Sequence, residues 1–376
     1  LAVPLFWLGL GLTCSVPVAV AVYLVVLHYR LRWKYLHLVE RIFQEKPLFI
    51  IPRGQPDGRA EEVSFRTPEG LTLRGCYWRT PLPRRGVILF GLEYGSNRWS
   101  CRPYCEHLVN AGFDVFAFER RNQGDSEALP GYEPLQWVTD HEVRDTEAAL
   151  AYLKARPDAD PRGVGFFGIS KGGGAGLIAA SRDPYVRCCV TDGAFGTYTT
   201  LVPYMRHWFH IYNGHRMRQA VIPSWYFGAI GRVALRRVAR QRRCRFPDLE
   251  RAVPRLAPRP LLIIHGGADT YIKPDMARAL FAHAQAPREL WLVDDAKHNQ
   301  ALQVAGDEYR RRVLAFFEEH LAAAPAPTPA AAPSACSARA PEGIEGSGAR
   351  GRLLQTTRPP HTRPLSPASG AQRRKG

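Results

Sequence analysis

The 376-residue chain is 45% hydrophobic and 23% charged, which excludes a disordered or fibrous polymer and leaves room for one large α/β domain or two ordinary domains of roughly 150 residues each. Its net charge of +17 is patchy: seven arginines lie between Arg232 and Arg245, and the tail beyond Leu321 carries eight basic residues against Glu342 and Glu345. Such patches suit anionic lipid headgroups or nucleic acid. The eight cysteines show no metal-knuckle spacing and read as free thiols, which argues against a disulfide-stapled secreted domain.

No charged residue occurs from Leu1 to Leu27, a run longer than the roughly 20 residues that cross a hydrocarbon layer as a helix. Pro4 and Pro17 are tolerable there, and Tyr29, Trp33 and Tyr35 suit an interfacial belt. Residues 1–29 therefore predict a single-pass transmembrane helix; a signal peptide calls for a shorter apolar run, a basic start and a small-residue cleavage site. Arg30, Arg32 and Lys34 follow directly, so the positive-inside rule puts the rest of the chain on the cytoplasmic side. Residues 30–61 read as a juxtamembrane linker.

A hairpin is predicted at 62–66 and 71–78 around the Pro68-Glu69-Gly70 turn. Strands at 86–91, 113–118, 164–167, 186–191, 260–265 and 289–293 then alternate with helices at 102–111, 140–155, 171–180, 274–284 and 300–320. A hairpin followed by repeated βα units predicts an α/β domain over 62–321, with a mostly parallel central sheet and helices on both faces. Residues 194–247 interrupt the alternation with a segment rich in aromatics and arginine. The tail 322–376, dominated by Pro, Ala, Ser, Gly and Arg, has too few large apolar residues to offset ordering and reads as disordered.

Gly168-Ile169-Ser170-Lys171-Gly172 follows an apolar strand and opens a glycine-rich helix. A serine on a tight strand-to-helix turn needs small residues two before and two after it, and the turn lifts its hydroxyl above the sheet. Such a hydroxyl needs a base to take its proton and an acid to orient the base. Asp269 and His298 each follow a predicted strand, in the order Ser170, Asp269, His298 expected for this architecture. Asp192, after the preceding strand, competes for the acid, while Asp294 and Asp295 read as solvated turn residues and His265 as packing or positioning. The oxyanion requires aimed backbone N–H groups, which the sequence assigns to Lys171 and Tyr94, with the Lys171 side chain at the surface.

From about Glu62 to Leu321 the chain resembles the α/β-hydrolase superfamily, closest to the bacterial branch with serine-aminopeptidase-like and dienelactone-hydrolase-like members. The resemblance is carried by Gly168–Gly172, Asp269, His298, Tyr94-Gly95-Ser96 and the run from Glu119 to Ser126. Glu119 stands where the family usually has Asp, and Leu92-Glu93 where it usually has His-Gly, a departure that bears on how closely the loop approaches a substrate oxygen. The insertion 194–247 resembles a lid, with Tyr204, Trp208, Phe209, Tyr212, Trp225, Tyr226 and Phe227 as its aromatics. Within it Ile230, Val233, Ala234 and Val238 oppose Arg232, Arg236, Arg240 and Arg243: a basic amphipathic helix that suits either an anionic membrane surface or a lid with a solvated basic face.

The resemblance implies a serine hydrolase cleaving an ester, thioester or amide through an acyl-enzyme, without metal or organic cofactor. Its partners would be a small-molecule or lipid acyl substrate and the membrane; no fold or motif points to a specific nucleic acid. An acyltransferase or peptidase using the same three residues, and a catalytically inactive anchored binding module, are the alternatives.

Overall fold

The computed structural model describes residues 2–44, 51, 53–213 and 222–322, so the tail beyond Ala322 lies outside the described residues. Strands β1 (Ala60–Arg66) and β2 (Thr72–Trp78) form the expected antiparallel hairpin, with Phe65 opposite Leu73. β2 pairs antiparallel with β4 (Phe113–Phe118), and from there the sheet is parallel through β3 (Gly86–Gly91), β5 (Val164–Ile169), β6 (Val186–Asp192), β7 (Leu261–Gly266) and β8 (Arg288–Val293). The strand order is β1-β2-β4-β3-β5-β6-β7-β8.

Alternation along each strand sends neighbours to opposite faces. Cys188 accordingly joins one buried layer and Cys189 the other, both as free thiols. Helices α2 (Arg102–Asn110), α3 (Asp140–Ala155) and α4 (Lys171–Ala180) lie between the strands, followed by α5 (Tyr198–Asn213) and α6 (Ser224–Arg242) of the insertion, then α7 (Pro274–His283) and α8 (Ala301–Phe317). Thr139 caps α3 in a reciprocal box with Glu142.

The N-terminal helix α1 (Ala2–Gln44) has 43 residues, or about 65 Å at 1.5 Å per residue. Its segment Ser15–Gln44 is apolar and long enough to cross a membrane, a property that signal sequences near an N-terminus share. The helix does not give way to a linker at residue 30. Leu36, Val39 and Phe43, spaced i, i+3, i+7, form a stripe that is buried against the insertion and against Trp137 and Phe246, and this burial keeps the segment helical.

The insertion is built mainly of α5 and α6; the side chains of Trp208 and Tyr212 lie outside the described residues. His28 Nδ1 lies 3.0 Å from the Tyr226 hydroxyl, Arg237 is 3.3 Å from Glu40, and Arg242 donates to Gln44 at 3.0 Å. The offset in residue number stays nearly constant from one end to the other, which only parallel helices side by side produce. Of the two expectations for the basic helix, this packing favours a lid helix with a solvated basic face. If α1 crosses a bilayer, the Arg232–Arg243 face runs away from that bilayer along α1, rising about 1.5 Å per residue, and two arginines of α6, Arg237 and Arg242, are engaged by Glu40 and Glu133.

Candidate active site

Between β5 and α4 the backbone turns at Ser170 with φ 50° and ψ −122°, a region that costs a non-glycine residue on the order of 1–3 kcal/mol. The Ser170 N–H donates to Asp192 O at 2.7 Å, and its carbonyl accepts from Gly174 at 3.2 Å, so both neighbours fix the turn. The motif's glycines answer to close approach. A Cβ on Gly168 would sit 2.7 Å from Gly173 Cα, and one on Gly172 only 2.1 Å from Leu92 O.

The structure brings Ser170, His298 and Asp269 together. Ser170 Oγ is 3.1 Å from His298 Nε2, and His298 Nδ1 is 2.7 Å from Asp269 Oδ2. An ionised carboxylate only accepts, so Nδ1 carries the proton and Nε2 offers its lone pair to the serine. Asp269 Oδ1 is held by the Tyr271 and Ile272 amides, each at 2.8 Å. His265 Nε2 donates to Ile272 O at 2.7 Å, and burial pulls this imidazole toward neutrality. It braces the loop carrying Asp269 and stands away from the serine's hydrogen bond, as a positioning residue.

Asp192, the competing acid, is fully buried and faces elsewhere: its Oδ2 accepts from the Tyr309 hydroxyl at 3.0 Å, and its Oδ1 has no hydrogen-bond partner. Burial pushes its carboxyl up to about 7. Asp294 and Asp295 are exposed in the turn before His298.

The loop after β3 contains the departure Leu92-Glu93. The Glu93 carbonyl accepts from Arg120 at 3.1 Å, Gln123 at 3.1 Å and the Ser96 hydroxyl at 3.2 Å, while Arg120 also donates to Leu92 O at 2.6 Å. In a trans peptide the C=O and the following N–H point opposite ways. The Tyr94 N–H is therefore aimed away from Arg120 and Gln123. The Lys171 amide is among the first four of α4, which have no partner within the helix. The Glu93 side chain is buried and accepts from Asn299 Nδ2 at 2.7 Å; burial raises its carboxyl, against the opposing pull of Asn299 and His298.

The Lys171 side chain is not at the surface; it is 2% exposed. Its ammonium donates to Glu142 Oε1 at 2.8 Å and to Leu135 O at 2.5 Å, and lies 5.6 Å from the Tyr94 ring centroid. The residue after Ser170 faces α3, whose capping Glu142 supplies a buried counter-charge. Burial alone would raise the Glu142 carboxyl, but Lys171, Thr139 and Tyr132 outweigh it and hold it down to about 2. The Thr139-x-x-Glu142 spacing marks a helix start in the sequence but not this second use.

Glu119, in the usual place of Asp, accepts from the Arg98 amide at 3.0 Å, the Arg98 guanidinium at 3.1 Å and the Asp125 amide at 2.8 Å. It organises the loop and stands apart from the chemistry. Sequence reasoning also missed Gln136, Tyr271 and Asn299. The Tyr271 ring meets the His298 ring edgewise at 5.3 Å and its hydroxyl donates to Gln136, whose amide donates to Ile42 O at 3.0 Å. Among the described residues, no group of three or more His, Cys, Asp or Glu side chains is disposed to hold a metal ion.

Comparison with known proteins places this geometry in context. The sequence profile of the alpha/beta hydrolase family matches residues 94–316, more than half of the chain. Uncharacterized protein YfhR of Escherichia coli (strain K12) is 26% identical over 267 residues, covering 69% of this chain and 80% of that one. A thiohydrolase of Eupenicillium brefeldianum is 31% identical over 135 residues, 35% of this chain and 41% of its own length. The Pyrococcus furiosus esterase Pf2001 superposes with a TM-score of 0.54 at 21% identity, covering 74% of this chain and all of that one, a likeness of fold.

Proposed function

This chain belongs to the alpha/beta hydrolase family, and we propose that it is a membrane-anchored serine hydrolase acting on an ester, thioester or amide. The observation that carries the reading is the unbroken hydrogen-bonded line from Ser170 Oγ through His298 to Asp269, at 3.1 and 2.7 Å. The esterase and thiohydrolase among its relatives and structural neighbours support the reaction class. In this reading Ser170 Oγ attacks the substrate carbonyl as His298 Nε2 takes its proton, and Asp269 stabilises the resulting imidazolium. The Tyr94 and Lys171 amides receive the oxyanion. Collapse breaks the bond to the leaving group, which takes the proton from His298, and leaves an acyl-Ser170 ester. Water, deprotonated by the same imidazole, then releases the acid and restores the serine.

The apolar α1 anchors the domain beside a bilayer in this reading, which makes a lipid or other acyl compound the favoured substrate class. A fluorophosphonate probe tests the chemistry: wild-type chain is expected to label at Ser170 and the Ser170→Ala variant not at all. Folded wild-type protein that resists the probe would overturn the enzymatic reading in favour of a binding module. A series of esters of increasing acyl length, with and without liposomes, tests the substrate class; rates indifferent to both would remove the lipid assignment.

A further inference from the structure

A cavity of about 250 Å³ lies between α1 and the insertion, lined by Leu31, Leu38 and Ile42 of α1 and by Met205, Phe209 and Ile230 of α5 and α6. Close-packed interiors leave few voids larger than a water molecule. An apolar cavity of about 150 Å³ already stays dry and admits a benzene-sized guest, whereas water needs two to four polar partners. The walls here are mostly apolar, with Tyr35, Arg41 and Tyr226 as their polar members, and suit a largely apolar occupant.

Two independent features set the mouth of the cavity at the level of a bilayer surface. The exposed apolar face of α1 runs through Val16, Val20, Leu24 and Val26. From Val26 to Leu31 the helix rises about 7–8 Å at 1.5 Å per residue, close to the roughly 5–8 Å headgroup layer on each side of the hydrocarbon. Exposed rings then come from two elements at one level: Tyr29 and Trp33 on α1, 63% and 85% exposed, and Trp225 on α6, 70% exposed. The contact between His28 and Tyr226 holds the start of α6 at that height. Aromatic side chains collect at membrane–water interfaces for the sake of their amphipathic rings.

We propose that this cavity binds one acyl chain of a bilayer lipid, which enters beside residues 28–31 and lies lengthwise between α1 and the helices α5 and α6. The proposal rests on the membrane anchoring of the preceding reading and not on its chemistry. The acyl site adjoins the candidate active site through α5. Met205 and Phe209 face the cavity, while α5 also packs against α7, which begins just after the loop carrying Asp269.

The test uses the full chain carrying Ser170→Ala, in nanodiscs of phosphatidylcholine bearing a photoactivatable diazirine within one acyl chain. After irradiation, peptide mapping is expected to find adducts on residues 16–27 and also on Met205, Phe209 or Ile230. Leu38→Trp, which fills the cavity, is expected to lower the insertion adducts at least fivefold and leave those on residues 16–27 unchanged; Leu38→Ala retains both. Should Leu38→Trp misfold, Ile230→Phe fills the cavity from the other wall. Adducts confined to residues 16–27 of α1, or insertion adducts indifferent to filling, overturn the acyl site. Absence of adducts anywhere on α1 overturns both the anchoring and the site. Cavity adducts in a wild-type chain that resists fluorophosphonate would leave the site standing and sink only the hydrolase reading.

Discussion

Asp192 ends β6 and Asp269 follows the adjacent β7, and exchanging each for Asn separates their roles. Asp192 has its carboxyl pushed from 3.8 to about 7 by burial, with one oxygen bonded to Tyr309 and the other without a partner. Between those two pH values the unfolded chain is ionised at this residue while the folded chain keeps its proton. The folded state then binds more protons, so stability falls as pH rises from about 4 to about 7, by about 1.4 kcal/mol per pH unit for this one group. The whole loss is about 4 kcal/mol as an upper limit. Asn keeps an acceptor for Tyr309 and does not ionise, and its amide donor replaces the unmet O–H of the protonated acid. Asp192→Asn is therefore expected to match the parent near pH 4 and to exceed it by up to about 4 kcal/mol at pH 8. At about 2–4 °C per kcal/mol for a domain of this size, the gap in Tm widens by roughly 10 °C across that range. Thermal unfolding of the full chain in detergent, from pH 4 to pH 8, reads it directly. Activity should persist in this variant, whereas Asp269→Asn should lower kcat on the order of 10⁴-fold by presenting the wrong imidazole tautomer. A Tm difference independent of pH would refute the burial argument. Loss of activity in Asp192→Asn with retention in Asp269→Asn would transfer the acid's role.

Lys171→Met strands Glu142 as an uncompensated buried charge and should destabilise the fold by about 3–5 kcal/mol; adding Glu142→Gln should recover much of this in a thermal-unfolding double-mutant cycle. Gly172→Ala sets a Cβ 2.1 Å from Leu92 O and 2.5 Å from Gly91 O, backbone atoms that must move. On the proposed mechanism, displacing the loop before Tyr94 should lower kcat on an activated ester about 10²–10³-fold, the range seen when one oxyanion donor is lost. Gln136→Ala removes the hydrogen bonds to Ile42 O and from Tyr271. Each is worth about 0.5–1.5 kcal/mol, so a fall in kcat of more than about 100-fold would contradict a purely bracing role.

The sheet and the Ser170, Asp269, His298 grouping were legible because each rests on a local signal: apolar strand runs, a glycine-flanked turn, and residues just past strand ends. What escaped depends on contacts distant in sequence. Nothing in the neighbours of Lys171 announces that its ammonium meets Glu142, 29 residues earlier. Similarly, the Leu36, Val39, Phe43 stripe is short and bordered by charge, and its surface to bury against comes from Trp137 and from the insertion nearly 200 residues later. The basic face of α6 was visible as a pattern, but its direction was fixed by the pairs with His28, Glu40 and Gln44.

The departure at Leu92-Glu93 takes on a different meaning once these long-range bonds are considered. A glycine at position 93 would let the loop approach a substrate closely by having no side chain. Here the side chain is turned aside to Asn299, and three donors grip its carbonyl, so the orientation of the next N–H is set by Ser96 of the same loop and by Arg120 and Gln123 of the β4–α3 connection. That same connection supplies Leu135 O to Lys171 and, through Gln136 and Trp137, holds the end of α1 at Ile42. One segment thus braces the loop before Tyr94, the side chain beside Ser170 and α1 together. Preorganised donors stabilise developing charge only as well as they are held in place, and with Glu93 in place of a glycine the loop is held at this residue by side chains. The departure therefore moves the demand for precision from residue 93 to Arg120 and Gln123, and it is at those two residues that the loop should be least tolerant of change.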